Sequence, residues 1–460
     1  MLTLTDLFCG GGGSSTGAAL VPGIEVRMAA NHWKLAVDVH NENHPNADHD
    51  CADLSQVDPR RYPRTDLLWA SPSCTKHSIA QGRRFDEGDV DAERSRATMW
   101  DVQRFAEHHR YRLIFVENVN EVRKWPGFRG WWLSLEDTGY CLHEVFLNAA
   151  FASKLGPAAP QWRDRWFCIM HPKGTRCPDV PEWTSPQAWC PDCDATVGTY
   201  QWWKDPSKTA GKYRQQYVFR CQPCGQKVEP AVRQAAEIID WSRPAQRIGD
   251  RARPLADKTM ARIRLGLERY GSALVPVEGR EGKQPSPVNA PMRTCTARNE
   301  TGLLVPAGGT WNDTAYPTGE PFRCRTTRES EGVLIPPFIA ELRGGGSKTR
   351  PVSDPLATVC ASGNHHGLVV PYYSTGKAYG TEEPLRTVTT VDRAALVDPT
   401  SIVAEDCGFR MLQAEEYAAA MAFPGTYLWR GSKRDRVRMA GNAVPPNMAR
   451  DLVACGLATL

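Results

Sequence analysis

The chain opens on an alternation of apolar and polar positions, Leu2-Thr3-Leu4-Thr5-Asp6-Leu7-Phe8, and then runs into Cys9-Gly10-Gly11-Gly12-Gly13-Ser14-Ser15. A period of two followed by glycines and a small-residue run reads as strand, tight turn and helix start. Glycines let backbone amides approach a ligand without Cβ obstruction, and a helix start offers unpaired N–H groups to an anionic or carboxylate moiety. Further apolar segments lie at 24–30, 67–70, 113–116 and 144–149, separated by stretches long enough for helices. That spacing predicts successive βα units and a mostly parallel sheet. Ligands of such sheets bind beyond the carboxyl ends of the strands. The residues to inspect are therefore Asn31-His32-Trp33, Ser71-Pro72-Ser73-Cys74 and Glu117-Asn118-Val119.

From about 171 to 400 the pattern changes, with many tryptophans, prolines and glycines and little helical periodicity until 246–270. After 400 it turns helical again and closes on Gly441-Asn442-Ala443-Val444-Pro445-Pro446, where a proline pair before an apolar run reads as a helix N-terminus. The expected organisation is an α/β domain at 1–170, a cysteine module at 171–235, a mainly β region at 236–400, and a segment at 401–460 that completes the first domain. The middle is thus an insertion.

Composition narrows this picture. With 460 residues, 41% hydrophobic and 23% charged, the chain is ordinary globular protein of two to four folding units, and disorder, coiled coil and collagen are excluded. There is no apolar run of about 18 residues to span a bilayer and no basic leader before an apolar stretch, so the expectation is a cytoplasmic protein that uses no membrane. A net charge of +4 is too small to identify a polyanionic partner. Fifteen cysteines, an odd count, with two C-x-x-C pairs point to reduced thiols plus a metal. Those pairs, Cys190/Cys193 and Cys221/Cys224, have 27 residues between them, a spacing that a structural zinc ribbon closes tetrahedrally. Cys177 and His171 lie close enough to be alternative ligands.

Two residues at strand exits suggest chemistry. Cys74 follows a proline-containing turn, where a thiol can be exposed and made nucleophilic by neighbours that favour the thiolate. Glu117 leaves the very apolar run Leu113-Ile114-Phe115-Val116, and a desolvated carboxyl group there suits a proton donor at neutral pH.

In this order, DLFCGGGG at 6–13, SPSC at 71–74, ENV at 117–119, QWRDR at 161–165 and GNAVPP at 441–446 closely resemble the cytosine-C5 DNA methyltransferase family. FRMLQAEEYAAAMAFP at 409–424 resembles that family's segment before its C-terminal motif. The resemblance implies a Rossmann-like class I methyltransferase domain with a large inserted target-recognition region, S-adenosylmethionine as cofactor, and a cytosine flipped out of duplex DNA. It implies Cys74 as the nucleophile at C6, Glu117 as the group protonating N3, Arg163 and Arg165 as the arginines of the Q-x-R-x-R element with the second holding the base and its adduct, and Asn118 as a residue that shapes the loop. For the cofactor it implies Phe8 with Gly10, Gly11 and Gly12 at the methionine end, Trp33 stacking on adenine, Asp53 accepting from the adenine amino group, and Asn442 closing the pocket. Double-stranded DNA becomes the expected partner. The expected setting is a monomer in the nucleoid of a bacterial cell or encoded by its phage, with a cognate restriction endonuclease as a candidate companion.

The sequence departs from the family twice. Pro72-Ser73-Cys74-Thr75 replaces proline directly before the cysteine and glutamine after it, and His32 stands where an acidic residue usually binds the ribose hydroxyls. Neither removes a reacting group. Two rivals remain: tRNA as the substrate, and a non-catalytic zinc-dependent DNA-binding protein.

In the insertion, Trp241 to Leu265 carries seven Lys/Arg against two Asp/Glu, a candidate phosphate track. Four related segments begin at 291, 321, 355 and 384, each pairing a Thr-rich run with an apolar one across a polar turn, as expected of hairpins facing DNA.

Overall fold

The computed structural model describes residues 1–73, 90–240, 242–257, 259–261, 263–264 and 404–460, together with the strands Val275–Pro276, Thr301–Val305, Phe338–Glu341 and His366–Pro371. Cys74, Thr75, Lys258, Arg262 and most of the four related segments lie outside the described residues.

The glycine run is where the first strand turns over. β1 (Leu2–Leu7) leads through it into α1 (Gly13–Ala19), and β2 (Ile24–Asn31), α2 (Lys34–Asn43), β3 (Asp48–Cys51), β4 (Leu67–Ala70), α3 (Val90–His109) and β5 (Leu113–Asn118) continue the alternation. After α4 (Phe128–Asp137) come β6 (Tyr140–Asn148) and β7 (Asp164–Pro172). The seven strands lie in the order β3-β2-β1-β4-β5-β7-β6. β1 to β5 are parallel, and β7 enters antiparallel between β5 and β6. This is a Rossmann-like α/β sheet.

Strands buried on both faces read as continuous apolar runs, and β4 and β5 do so because alternate residues feed two cores. Leu67, Trp69, Leu113 and Phe115 pack on one face with Met448 and Leu452 of the helix Pro446–Leu457. Leu68, Ile114 and Val116 pack on the other with Val102, Phe105 and Trp131 of α3 and α4. β3, Asp-His-Asp-Cys, escaped the apolar reading because it is a partly exposed edge strand whose polar side chains reach water. At Gly17 of α1 a Cβ would sit 2.2 Å from the Pro446 carbonyl, so only glycine lets the two helices approach this closely.

Compact units divide the chain as Met1–Arg233 with Tyr417–Leu460, and Gln234–Glu416. The first unit also holds a four-stranded sheet of β8 (Gln187–Cys190), β9 (Ala195–Trp203), β10 (Tyr217–Cys221) and β11 (Lys227–Val228), in the order β11-β10-β9-β8. In the second unit, Thr301–Val305 and His366–Pro371 pair in parallel with Gly302 opposite Gly367 and Leu303 opposite Leu368. These strands are the apolar ends of the first and third related segments. Equivalent positions of those two segments therefore meet in register; their Thr-rich runs lie outside the described residues.

The basic stretch is less free than its composition suggests. Arg243 pairs with Asp240 at 2.8 Å, Arg247 with Asp250 at 2.7 Å and Arg264 with Glu405 at 2.8 Å, all within the second unit.

Candidate active site

The strand order reverses between β1 and β4, which opens a crevice beyond their carboxyl ends. The β1, β2 and β3 exits, carrying Phe8, His32-Trp33 and Asp53, flank one side. The β4 and β5 exits, carrying Ser71-Pro72-Ser73 and Glu117-Asn118, flank the other. Sequence spacing gave these exits, and the parallel register Ala70 to Val116 explains why the last two are neighbours.

On the first side the glycine loop is held from below. Phe8, Gly10 and Gly12 all adopt positive φ (59°, 53° and 79°). A Cβ at Gly12 would lie 2.3 Å from the Tyr427 hydroxyl, which donates at 2.7 Å to the Gly11 carbonyl, and one at Gly13 would lie 2.0 Å from the Val444 carbonyl. A Cβ at Gly10 would meet only the Phe8 carbonyl, at 3.9 Å. The loop thus faces open space at Gly10, while α1 is covered by the chain's own C-terminal segment, so the loop rather than the helix start is left for a ligand.

Beneath it, Asp6 is wholly buried and accepts from Ser14 Oγ at 2.5 Å and Ser15 Oγ at 2.6 Å. Burial raises its carboxyl to about 6 against these hydrogen bonds. Ser15 Oγ also meets His40 Nε2 at 2.9 Å, His40 Nδ1 meets His49 Nε2 at 2.8 Å, and His44 Nε2 meets Thr16 Oγ1 at 3.1 Å. Burial holds His40 well below the usual imidazole range and pushes His44 down to about 4, with His49 adding to it. Sequence reasoning missed this network, although Asp6 opens the very motif it quoted.

Trp33 is half-exposed after β2, and its ring carries the Arg438 guanidinium 4.4 Å from the centroid. His32 and Asp53 are exposed, and Asp53 Oδ1 accepts from Ser55 N at 3.2 Å. Asn442 is exposed at the end of the helix Lys433–Asn442. Of the residues expected around S-adenosylmethionine, His32, Asp53 and Asn442 are exposed and Phe8, Gly10 and Trp33 half-buried, whereas Gly11 and Gly12 are covered from below. That fits the cofactor.

On the second side, Asn118 is fully buried and donates its Nδ2 to the Pro72 carbonyl at 3.3 Å, while its Oδ1 accepts from Val119 N at 2.8 Å. Ser73 N donates to Thr98 Oγ1 at 3.1 Å. Both bonds fix the loop that delivers residue 74. Glu117 lies opposite Phe167 on β7, which puts Arg165 diagonally across on the same face. Arg165 Nε stands 3.0 Å from Glu117 Oε1, both side chains about nine-tenths buried. The Nε–H is not aligned on that oxygen, so the contact is an ion pair rather than a linear hydrogen bond. Arg163, also buried, points elsewhere: Nη1 donates to the Gly441 carbonyl at 3.1 Å and Nη2 to that of Ala443 at 3.0 Å.

In the cysteine module, the turn after β8 carries Cys190 and Cys193 and the turn after β10 carries Cys221 and Cys224. The sulfurs of Cys190 and Cys224 are 3.5 Å apart and those of Cys193 and Cys221 are 3.7 Å apart. Cys177 and His171 are not part of this set. They gather with His143 in a separate group.

Residues 2–219, which contain the glycine loop, both strand exits and the paired arginines, match the model for C-5 cytosine-specific DNA methylase. Over this stretch, a little under half of its length, the chain is similar to that family. The Type II methyltransferase M.HgiDI of Herpetosiphon aurantiacus is 30% identical over 174 residues, 37% of this chain and 52% of that protein. The chain thus spans about half the length of the curated relative it matches. Two crystal structures also resemble it over nearly their full lengths at a TM-score of 0.49. One is a triple mutant of Spodoptera frugiperda DNMT2, 11% identical and covering 99% of this chain and 100% of its own. The other is the S. pombe Dnmt2 methyltransferase, 13% identical and covering 100% and 99%. Within the methylase stretch, His32 sits where a ribose-binding acid was expected and is open to solvent, and Ser73 is anchored through its backbone rather than by proline geometry. Among the described residues no helix is long and apolar enough to cross a membrane.

Proposed function

We propose that the protein transfers a methyl group from S-adenosylmethionine to C5 of a cytosine flipped out of double-stranded DNA. The observation that carries this reading is the buried Glu117–Arg165 pair, at 3.0 Å, beside a Pro72 loop pinned by Asn118 and across the β1/β4 crevice from an open glycine loop. S-adenosylmethionine, held by Phe8, Gly10, Gly11, Gly12, Trp33, Asp53 and Asn442, supplies an electrophilic methyl group. The protein must make C5 nucleophilic. Cys74, as thiolate, adds to C6 while Glu117 passes a proton to N3, so that electron density builds at C5. Arg165 fixes the Glu117 carboxyl against the base and supplies further donors towards it. After transfer the C5 proton leaves to solvent, N3 returns its proton to Glu117, and the thiolate departs. Arg163 acts as a positioning residue, clamping the Gly441–Ala443 segment that closes the cofactor side.

The four cysteines of the module suit a structural zinc ion. Tetrahedral Zn–S bonds of about 2.3 Å separate sulfurs by roughly 3.8 Å, against the 3.5 and 3.7 Å seen here. Four thiolates leave no open position, so this ion would order β8 to β11 rather than catalyse. A type II relative also makes a bacterial or phage modification system, with or without a cognate endonuclease, the natural setting.

The test is transfer of labelled methyl to mixed-sequence duplex DNA and, in parallel, to tRNA, followed by nucleoside mass analysis, with the parent protein and Cys74→Ala. Label in 5-methyldeoxycytidine that Cys74→Ala loses supports the reading. Label in tRNA alone, or equal label with Cys74→Ala, overturns the substrate or the nucleophile respectively.

A further inference from the structure

The first unit holds a second cluster of side chains able to bind a metal, separate in the fold from the four-cysteine set. His143 on β6 and His171 on β7 are brought together by the antiparallel register: His171 stands opposite Cys141 and His143 opposite Ile169, so the two histidines are diagonal neighbours on one face. Their Nε2 atoms are 2.9 Å apart, and their rings stack at 5.0 Å between centroids with 16° between planes. Cys177 follows the turn after β7, and its sulfur and one ring nitrogen of each histidine lie within 4.8 Å of one another. That turn is firmly built. Gly174 takes φ 85°, Thr175 N donates to the Pro172 carbonyl at 3.2 Å, and Lys173 N donates to the Gly139 carbonyl at 2.9 Å.

The hydrogen bonds also decide which nitrogen of His171 carries its proton. Thr175 Oγ1 donates to the Pro172 carbonyl at 2.8 Å, so its one proton is spent. With the hydroxyl so placed, His171 Nδ1 is the donor in its 2.7 Å contact with Thr175 Oγ1, and Nδ1 also stands 3.2 Å from the Pro172 carbonyl, which can only accept. A neutral His171 is therefore protonated on Nδ1, and its Nε2 lone pair points into the cluster. Such a donor bond from the distal nitrogen is how metal-binding histidines are oriented.

We infer that His143, His171 and Cys177 form a second transition-metal site, which takes Zn²⁺ through two imidazole nitrogens and one thiolate. Imidazole with thiolate is a donor set that favours this ion over Mg²⁺ or Ca²⁺. Two nitrogens bound tetrahedrally to zinc sit roughly 3.3 Å apart, so the 2.9 Å pair opens by only a few tenths of an ångström on loading. His143 shifts its remaining proton to Nδ1, and Cys177 releases its thiol proton to solvent. The fourth position falls to water or to Cys141, the cross-strand partner of His171. This site offers fewer protein ligands than the four-thiolate set, so its ion is the more easily withdrawn. When filled, it ties the 173–177 turn to the main sheet at the point where the chain leaves for the cysteine module.

The full-length protein, loaded with Zn²⁺ alone and freed of excess by gel filtration, should carry two zinc ions per chain, one for each cluster. A graded chelator should remove them in two steps. Cys177→Ser, at an exposed position, should carry one ion and lack the first step; His143→Gln, half-buried, should behave likewise. Cys193→Ser should lose the second step and keep the first. A single zinc whose content and release are unaltered by Cys177→Ser and His143→Gln overturns the second site while leaving the four-cysteine site standing, and a protein without zinc overturns both.

Discussion

The guanidinium of Arg438 rests 4.4 Å from the centre of the Trp33 indole, joining the helix Lys433–Asn442 to the exit of β2. One face of the ring is thereby covered and the ring is held. A cation–π contact at a partly exposed site contributes about 0.5–1 kcal/mol. Arg438→Ala should weaken S-adenosylmethionine binding two- to five-fold by calorimetry with little change in kcat, and Trp33→Ala should weaken it considerably more. Unchanged affinity in both would remove Trp33 from the cofactor site.

Glu117→Gln keeps the shape of the side chain but cannot pass a proton to N3. Single-turnover methyl transfer should fall by about 10²–10⁴-fold, the usual range for a lost acid or base. Arg165→Lys keeps the charge but loses the fork that reaches the carboxylate, and should also be slow. Full activity in Glu117→Gln would refute its role.

Asn118 ties the Pro72 loop to the end of β5. Asn118→Ala removes the donor to the Pro72 carbonyl and the acceptor for Val119 N. Leaving buried groups unpaired costs about 1–3 kcal/mol. The expected signature is a lower urea midpoint and a slower methyl transfer with cofactor affinity intact. A fall in cofactor affinity alone would place Asn118 on the wrong side of the crevice.

Stability should respond to acid through the histidines under the glycine loop. His44 is held at about 4 against an ordinary value near 6.5. Between those values the unfolded chain binds a proton that the folded chain refuses, so stability falls as pH drops below about 6.5, by at most about 1.4 kcal/mol per pH unit for this group. Asp6, raised to about 6, has the opposite sign and offsets part of the loss between about pH 6 and 4. Urea midpoints at pH 7, 6 and 5 should decline for the parent and decline less for His44→Asn. Parallel curves would show that His44 does not sense the acid.

How much was visible beforehand depends on whether a feature is local. The β2, β4 and β5 exits could be read because parallel strands are apolar throughout and end abruptly on polar residues. β3 could not, since an edge strand satisfies its polar side chains in water. The place of Glu117 at the end of an apolar strand was legible, whereas its partner geometry depends on β7 entering between β5 and β6, which no periodicity encodes. Arg163 and Arg165 are two residues apart and looked alike. The register sends one to a carboxylate and the other to two backbone carbonyls. The zinc-ribbon spacing pointed to four cysteines, but Cys177 and His171 could be separated from them only by folding, because their third companion, His143, lies on another strand. Tyr427 and Arg438 went unnoticed because nothing near them in sequence refers to Gly11 or Trp33.

The hydroxyl bond from Tyr427 to Gly11 links positions 416 residues apart, and Gly17 receives the helix Pro446–Leu457 at backbone contact. Translation proceeds from the N-terminal side, so the glycine loop is made well before Tyr427 and Pro446, which support it. Such long-range closure is slow to form and sensitive to truncation. A nascent chain arrested before residue 427 would hold all seven strands of the main sheet but lack the support beneath its glycine loop. The support beneath the glycine loop is therefore complete only after the segment that follows the insertion has been made.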